Sequence, residues 1–196
     1  MPTLSDYYRD LLVWEGVPHV ELVAKWPAAL IQSVEAQMRH AVELGMIVGR
    51  RCPLRQGSKN QSIGNQIEAN TMPSLSESLV GFKLEKCAGA GYPDQMLTEI
   101  ASRLRIAFEV KATSDWNVND SNRRVLTSSS EKIRREFNSP VHHLLLTILY
   151  VEDVNEAVIE HFRFDFLEPT TQVSVRLEAS VSHKTLSQGS HTSLII

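Results

Sequence analysis

The first fifty residues carry apolar side chains at the spacing of α-helices. The pattern predicts a short helix over residues 7–14, opened by the capping residues Ser5 and Asp6. After Pro27, apolar residues recur every three or four positions, which predicts a second helix that Gly45 ends. The apolar positions of that helix are Ile31, Val34, Met38, Ala41 and Val42. Residues 1–48 are therefore expected to form a helical N-terminal region.

Helical and strand periods alternate from residue 60 onward. Residues 60–70 and 75–80 predict two short helices separated by Pro73, and residues 128–131 resemble a capping box that opens a third, which ends at Phe137. Alternation of apolar and polar positions predicts strands at residues 82–86, 104–113, 158–166 and 173–181, and residues 95–100 are expected to form a partner strand. Residues 144–151 are almost continuously apolar, which predicts a strand covered on both faces.

This order of elements predicts an α/β fold, with a central mixed β-sheet flanked by helices. We expect one domain over residues 1–196, with its core over residues 60–183. The net charge of −3 argues against a protein that coats nucleic acid by bulk charge. The two cysteines predict reduced thiols in a cytoplasmic protein, and no apolar stretch reaches the length of a membrane span. The sequence contains no glycine-rich motif of the kind that binds nucleotides, so no nucleotide cofactor is expected.

Candidate chemistry lies on the strand predicted over residues 104–113. Its even positions are all apolar, so Glu109 and Lys111 lie side by side on the opposite face. Asp94 follows Pro93 at the start of the neighbouring predicted strand, and Ser102 with Arg103 is a plausible hairpin tip. Such a hairpin would bring Asp94 to the same sheet edge as Glu109. The alternative is that Glu109 and Lys111 belong to an ordinary solvated strand face.

Two carboxylates beside an ammonium group suit hydrolysis of a phosphodiester. Carboxylate oxygens are the hard ligands that Mg²⁺ prefers, and the ion offsets the charge that develops on the phosphate. A lysine beside them can orient the attacking water or stabilise the same charge. By contrast, no third ligand lies at zinc spacing from His142 and His143, so a structural role is expected for both.

The segment Pro93-Asp94…Glu109-Val110-Lys111 resembles the motif of the PD-(D/E)XK nuclease superfamily. The resemblance covers about twenty residues closely and implies a restriction-endonuclease-like core. It implies that Asp94 and Glu109 bind Mg²⁺ and that Lys111 assists the attacking water. Many members carry an earlier helical acid that touches the metal or its water, and Glu68 occupies the corresponding place, although an ordinary exposed helix acid is the alternative.

Within that superfamily, the compact chain favours a site-specific type II restriction endonuclease that acts on double-stranded DNA. A DNA-repair nuclease or junction resolvase would keep the same core, and a non-catalytic DNA-binding module is a further alternative. A palindromic duplex has two equivalent strands, so a homodimer is expected.

Two segments offer contacts to DNA. No acidic residue occurs over 44–67, and the basic residues of this predicted loop would contact phosphates: Arg50, Arg51, Arg55 and Lys59. A second, polar segment carries residue types that contact base edges: Asn117, Asn119, Asn122, Arg123 and Arg124. The alternatives are a merely solvated loop for the first segment and the lead-in to a capped helix for the second.

Overall fold

The computed structural model describes residues 3–14, 21–89, 91–115, 130–171 and 192–196. The helices in these ranges are α1 (Leu4–Trp14), α2 (Ala28–Leu44), α3 (Asn60–Ser78) and α4 (Ser130–Glu136). The strands are β1 (Arg51–Pro53), β2 (Phe82–Lys86), β3 (Gln95–Glu99), β4 (Arg105–Thr113), β5 (His142–Asp153), β6 (Glu156–Leu167) and β7 (Thr192–Ile195). None of these helices combines the length and apolar character that a membrane crossing requires.

The seven strands form one mixed sheet, in which six follow the order β1-β6-β5-β4-β3-β2. The seventh strand, β7, pairs with residues 163–166 of β6, whereas β1 pairs with residues 156–158 of the same strand. β4 and β5 run parallel, and every other neighbouring pair is antiparallel. A parallel pair needs a crossover, and the chain between β4 and β5 includes α4. The predicted α/β class with a mixed, helix-flanked sheet is therefore confirmed.

The two faces of the sheet bury separate apolar clusters. On one face, α2 and α3 cover the even positions of β4, which include Ile106, Phe108 and Val110. On the other face, residues of α1 and α4 cover Ala107 together with Leu145 of β5. We call this second face the site face, since it also carries Glu109 and Lys111.

Several predicted elements agree closely with the structure. α2 buries Val34, Met38, Ala41 and Val42 and ends at Gly45. β2, β3, β4 and β6 lie where strands are predicted. Residues 144–148 of β5 are buried on both faces as predicted, but the prediction fails at Val151, which is exposed. The residue that caps α1 is Thr3 rather than Ser5. The Thr3 hydroxyl accepts a hydrogen bond from the Asp6 amide, and the Asp6 carboxylate accepts one from the Thr3 amide.

The prediction that Pro73 separates two helices is wrong. α3 runs through the exposed proline as one helix of 19 residues. The Arg50 guanidinium braces this turn by donating to the Asn70 carbonyl and to Ser74 Oγ. The predicted 50–59 loop also contains the short strand β1, because the edge of β6 offers pairing partners at residues 156–158. The strand predicted over 173–181 lies outside the described residues.

Candidate active site

β3 and β4 separate at the point where Asp94 meets Glu109. The paired residues end with Gln95 opposite Phe108, and β4 then continues to Thr113 beside β5 alone. The Val110 amide, which has no strand partner on this side, donates to Asp94 Oδ2 at 3.1 Å. In return, the Asp94 amide donates to Glu109 Oε2 at 3.1 Å. Each carboxylate is therefore held by a backbone amide of the other strand.

Lys111 completes the cluster from the same face of β4. Its ammonium contacts Glu109 Oε1 and lies 3.9 Å from Asp94 Oδ2. The Glu109 side chain is only 3% exposed, while those of Lys111 and Asp94 are 21% and 27% exposed. The alternative of a solvated strand face is wrong for Glu109, because the sheet and its helical cover remove it from water.

Burial governs the protonation of this cluster. It raises the pKa of the Glu109 carboxyl, whereas the Lys111 ammonium opposes this shift and favours the ionised form. Burial alone would lower the pKa of Lys111, but the carboxylates of Glu109 and Asp94 outweigh it and raise that pKa. Lys111 is therefore held as a cation, and any further positive charge at the site would favour the ionised form of Glu109.

Glu68 approaches the cluster from α3, which covers the opposite face of the sheet. Its carboxyl lies near the Gln95 side chain and within electrostatic range of Asp94 and Lys111. Burial and the Asp94 carboxylate together raise the pKa of Glu68. The structure thus brings all four residues that the motif and its resemblance single out to one end of β3 and β4.

Buried contacts position the turn before Asp94. The ring of Tyr92 stacks on His143 with centroids 5.7 Å apart, and its hydroxyl donates to His143 Nδ1. His143 Nε2 faces the Leu22 carbonyl at 3.0 Å, so this nitrogen carries the proton and Nδ1 accepts. These contacts explain why His143 is structural, and they fix the residue two positions before Asp94.

A buried lysine of α4 forms hydrogen bonds with the same turn. Lys132 is 3% exposed, and its ammonium donates to the carbonyls of Gly89, at 3.0 Å, and Gly91. Sequence reasoning did not identify Lys132 or Tyr92 as positioning residues. A lysine within a basic helix gives no sequence signal that it will be buried against a turn forty residues earlier.

The oxygen donors of the cluster fit Mg²⁺. Asp94 and Glu109 offer carboxylates, and Glu68 brings a third close by. Over the described ranges, no three Asp, Glu, His or Cys side chains already converge as a ready-made metal centre. Mg²⁺ in phosphate-processing sites is commonly held by one or two carboxylates, with water and substrate oxygens completing its shell. Asp94 and Glu109 are the residues that would hold the ion here.

The predicted phosphate-binding loop begins at β1 on the edge of β6 and then contacts α3, where the Arg55 amide donates to Gln66 Oε1. Arg50 donates to the carbonyls of Gly45, directly after α2, and of Asn70 on α3, and Arg51 pairs with Asp153 and Glu156 at 3.2 and 2.9 Å. Arg55 and Lys59 are exposed. Contact of this loop with DNA stays a prediction, and Arg55 and Lys59 are its more accessible members. Asn117, Asn119, Asn122, Arg123 and Arg124 lie outside the described residues.

Comparison of the sequence with models of known protein families, and with curated proteins, finds no match to either. The functional argument therefore depends on the geometry of the cluster.

Proposed function

We propose that this chain is a metal-dependent endonuclease that hydrolyses phosphodiester bonds of double-stranded DNA. The observation that supports the proposal is the cluster of Asp94, Glu109 and Lys111 where β3 and β4 separate. Two carboxylates locked by backbone amides, with an ammonium between them, form a preorganised site in which charge can be stabilised without rearrangement.

Each residue has a distinct role in the proposed reaction. Water adds to phosphorus and one P–O ester bond breaks, which leaves a phosphate monoester and an alcohol. Mg²⁺, when bound, supplies positive charge to the phosphate oxygens. Asp94 and Glu109 hold that ion, and Lys111 orients the attacking water or stabilises the negative charge that develops on the phosphate. Glu68 adds negative charge that favours cation binding.

The finer proposal is a site-specific type II restriction endonuclease that works as a homodimer. The sequence supports it through a compact chain with no nucleotide-binding motif and with polar Asn- and Arg-containing segments around the catalytic strands. A repair nuclease or resolvase would use the same four residues on a different DNA structure.

Incubation of the purified protein with phage DNA and Mg²⁺ tests the proposal. Discrete fragments that require Mg²⁺ support restriction, whereas a smear or the selective nicking of branched DNA supports a repair nuclease. DNA binding without cleavage at any divalent ion tested would support the non-catalytic module and overturn the enzyme assignment. Ca²⁺ should permit binding with little turnover, because the larger ion accepts looser coordination.

A further inference from the structure

Lys111 begins a row of side chains that crosses the sheet. The strand register places Lys111 of β4 beside Thr147 of β5, Thr147 beside Arg163 of β6, and Arg163 beside Ile195 of β7. Paired residues of neighbouring strands lie on the same face, so this row continues along the site face away from the carboxylates. Two strand spacings separate Lys111 from Arg163, which amounts to roughly 10 Å.

The row borders a depression in the site face. The depression has a volume of about 300 Å³, at the lower end of the range for small-molecule sites. Within the described ranges, its lining includes Thr147, Leu149, His161, Arg163 and Ile195. The apolar cluster beneath α1 and α4 includes Leu145, one row nearer the covered end of the same strands, and Leu167, two rows nearer.

One residue of this lining carries a buried hydroxyl that has no hydrogen-bond partner among the described residues. Thr147 is fully buried, and in the described part of the chain its Oγ1 has no partner. Buried hydroxyl groups are nearly always hydrogen-bonded, so an orphaned one is available to a water molecule, an ion or a ligand group. The threonine can donate one hydrogen bond and accept others.

The remaining walls suit a flat, weakly polar ring. Leu149 and Ile195 are apolar, and His161 presents an exposed imidazole. Arg163 is oriented by a two-pronged contact in which its Nε and Nη2 both donate to the fully buried Asp165 at 2.9–3.0 Å. Imidazole and guanidinium planes are the side-chain groups on which unstacked bases commonly stack.

We propose that this depression is a nucleobase subsite. It receives the base of a nucleotide next to the bond that is cut, either extruded from the duplex or at a strand end, and Thr147 Oγ1 hydrogen-bonds that base. The identity of the substrate as a nucleic acid rests on the proposed function, whereas the site itself rests on the row, the depression and the orphaned hydroxyl. An extruded base would add sequence discrimination that phosphate contacts do not supply.

Methyl NMR tests the subsite without any cleavage. The methyl groups of Thr147, Leu149 and Ile195 are labelled, and the four deoxynucleoside monophosphates are titrated in parallel with deoxyribose 5-phosphate and inorganic phosphate. We expect saturable shifts of these methyl signals with one or more nucleotides and none with the two base-free compounds. His161→Ala should weaken nucleotide binding about tenfold through lost stacking. His40→Ala, which alters an exposed histidine on α2, is the matched control and should leave binding unchanged.

Absence of base-dependent shifts at millimolar nucleotide, or equal shifts with deoxyribose 5-phosphate, would overturn the subsite. Thr147→Val keeps the side-chain shape, so it should fold and should lose affinity several-fold. Unchanged affinity in Thr147→Val and His161→Ala together would also overturn the proposal. Because DNA cleavage is measured separately, nucleotide binding without Mg²⁺-dependent cleavage would leave the subsite standing and reject the nuclease. Cleavage without nucleotide binding would do the reverse.

Discussion

Glu109 is almost completely removed from water, yet each of its oxygens has a partner. Oε1 contacts the Lys111 ammonium, and Oε2 accepts the Asp94 amide. Removal of one member of a buried ion pair leaves the other uncompensated, which is costly. Lys111 is mostly buried rather than on a solvated polar face, so Lys111→Met, which keeps the stem of the side chain, is a better test of its role than truncation to alanine.

His143 illustrates how burial sets a protonation state beside the site. Burial lowers the pKa of His143 to about 4, although its hydrogen bond to Leu22 opposes the shift. In the unfolded chain the ring takes up a proton near its ordinary pKa of about 6.5. Between these two values the unfolded state binds the additional proton, so acidification withdraws about 3 kcal/mol of stability through this residue.

Ring ¹⁵N shifts should therefore show His143 neutral, with the proton on Nε2, until the pH approaches about 4. The chemical reason is that Nδ1 already accepts from Tyr92 in a dry environment. His143→Phe removes the titrating ring and should remove this contribution from the pH dependence of urea unfolding, whereas exposed His40→Gln should not. An imidazolium signal from His143 at about pH 6 in the native protein would contradict this interpretation.

α4 has only seven residues, but it positions the turn that leads to Asp94. Lys132→Met removes the two hydrogen bonds from this helix to the turn before Asp94 and should lower the free energy of unfolding by about 1–3 kcal/mol. Cleavage should fall at saturating DNA while the dissociation constant for DNA stays the same, since Lys132 is assigned to positioning and not to binding.

Urea unfolding and cleavage at saturating DNA measure these two effects. Lys83→Met, which alters an exposed lysine of the edge strand β2, is the matched control and should change neither quantity. Parental cleavage by a folded Lys132→Met protein would show that the turn is held by other contacts.

Local patterns predicted most of the elements, because helical and strand periods are set by neighbouring residues. The alternation over β4 and the hairpin tip at residues 102–103 sufficed to bring Asp94 to Glu109. The turn around Pro73 continues as helix because Arg50, distant in sequence, braces it. β1 forms only because β6 offers a free edge.

The burial of Glu109 was not predictable from the same patterns. Alternation places Glu109 on the polar face of its strand, whereas coverage of that face comes from α1 and α4, which precede and follow it by many residues. The contacts of Lys132 and the orphaned hydroxyl of Thr147 also arise from tertiary packing. No pattern in the neighbouring residues predicts either feature.

If the proposed function holds, one such cluster cuts one strand, and two copies of the molecule are needed to cut both strands of a duplex. We expect a homodimer on DNA, with a mass twice that of one chain by light scattering. Mixing parental protein with catalytically dead Lys111→Met protein should then form mixed dimers that accumulate nicked circular plasmid, because only one strand is cut. A monomer free and on DNA, together with an unchanged ratio of nicked to linear product in the mixture, would contradict the dimer.

The rate at which Lys111→Met cuts plasmid DNA in the presence of Mg²⁺ tests the central claim most directly. The cutting rate should fall by several orders of magnitude while DNA binding in Ca²⁺ is retained, because charge stabilisation and positioning supply most of the barrier reduction in phosphoryl transfer. Lys83→Met is the matched control, since Lys83 pairs with Glu85 on the exposed edge strand β2 and should cut at the parental rate. A folded Lys111→Met protein that cuts as fast as the parental protein would contradict the assignment of Asp94, Glu109 and Lys111 as a nuclease site.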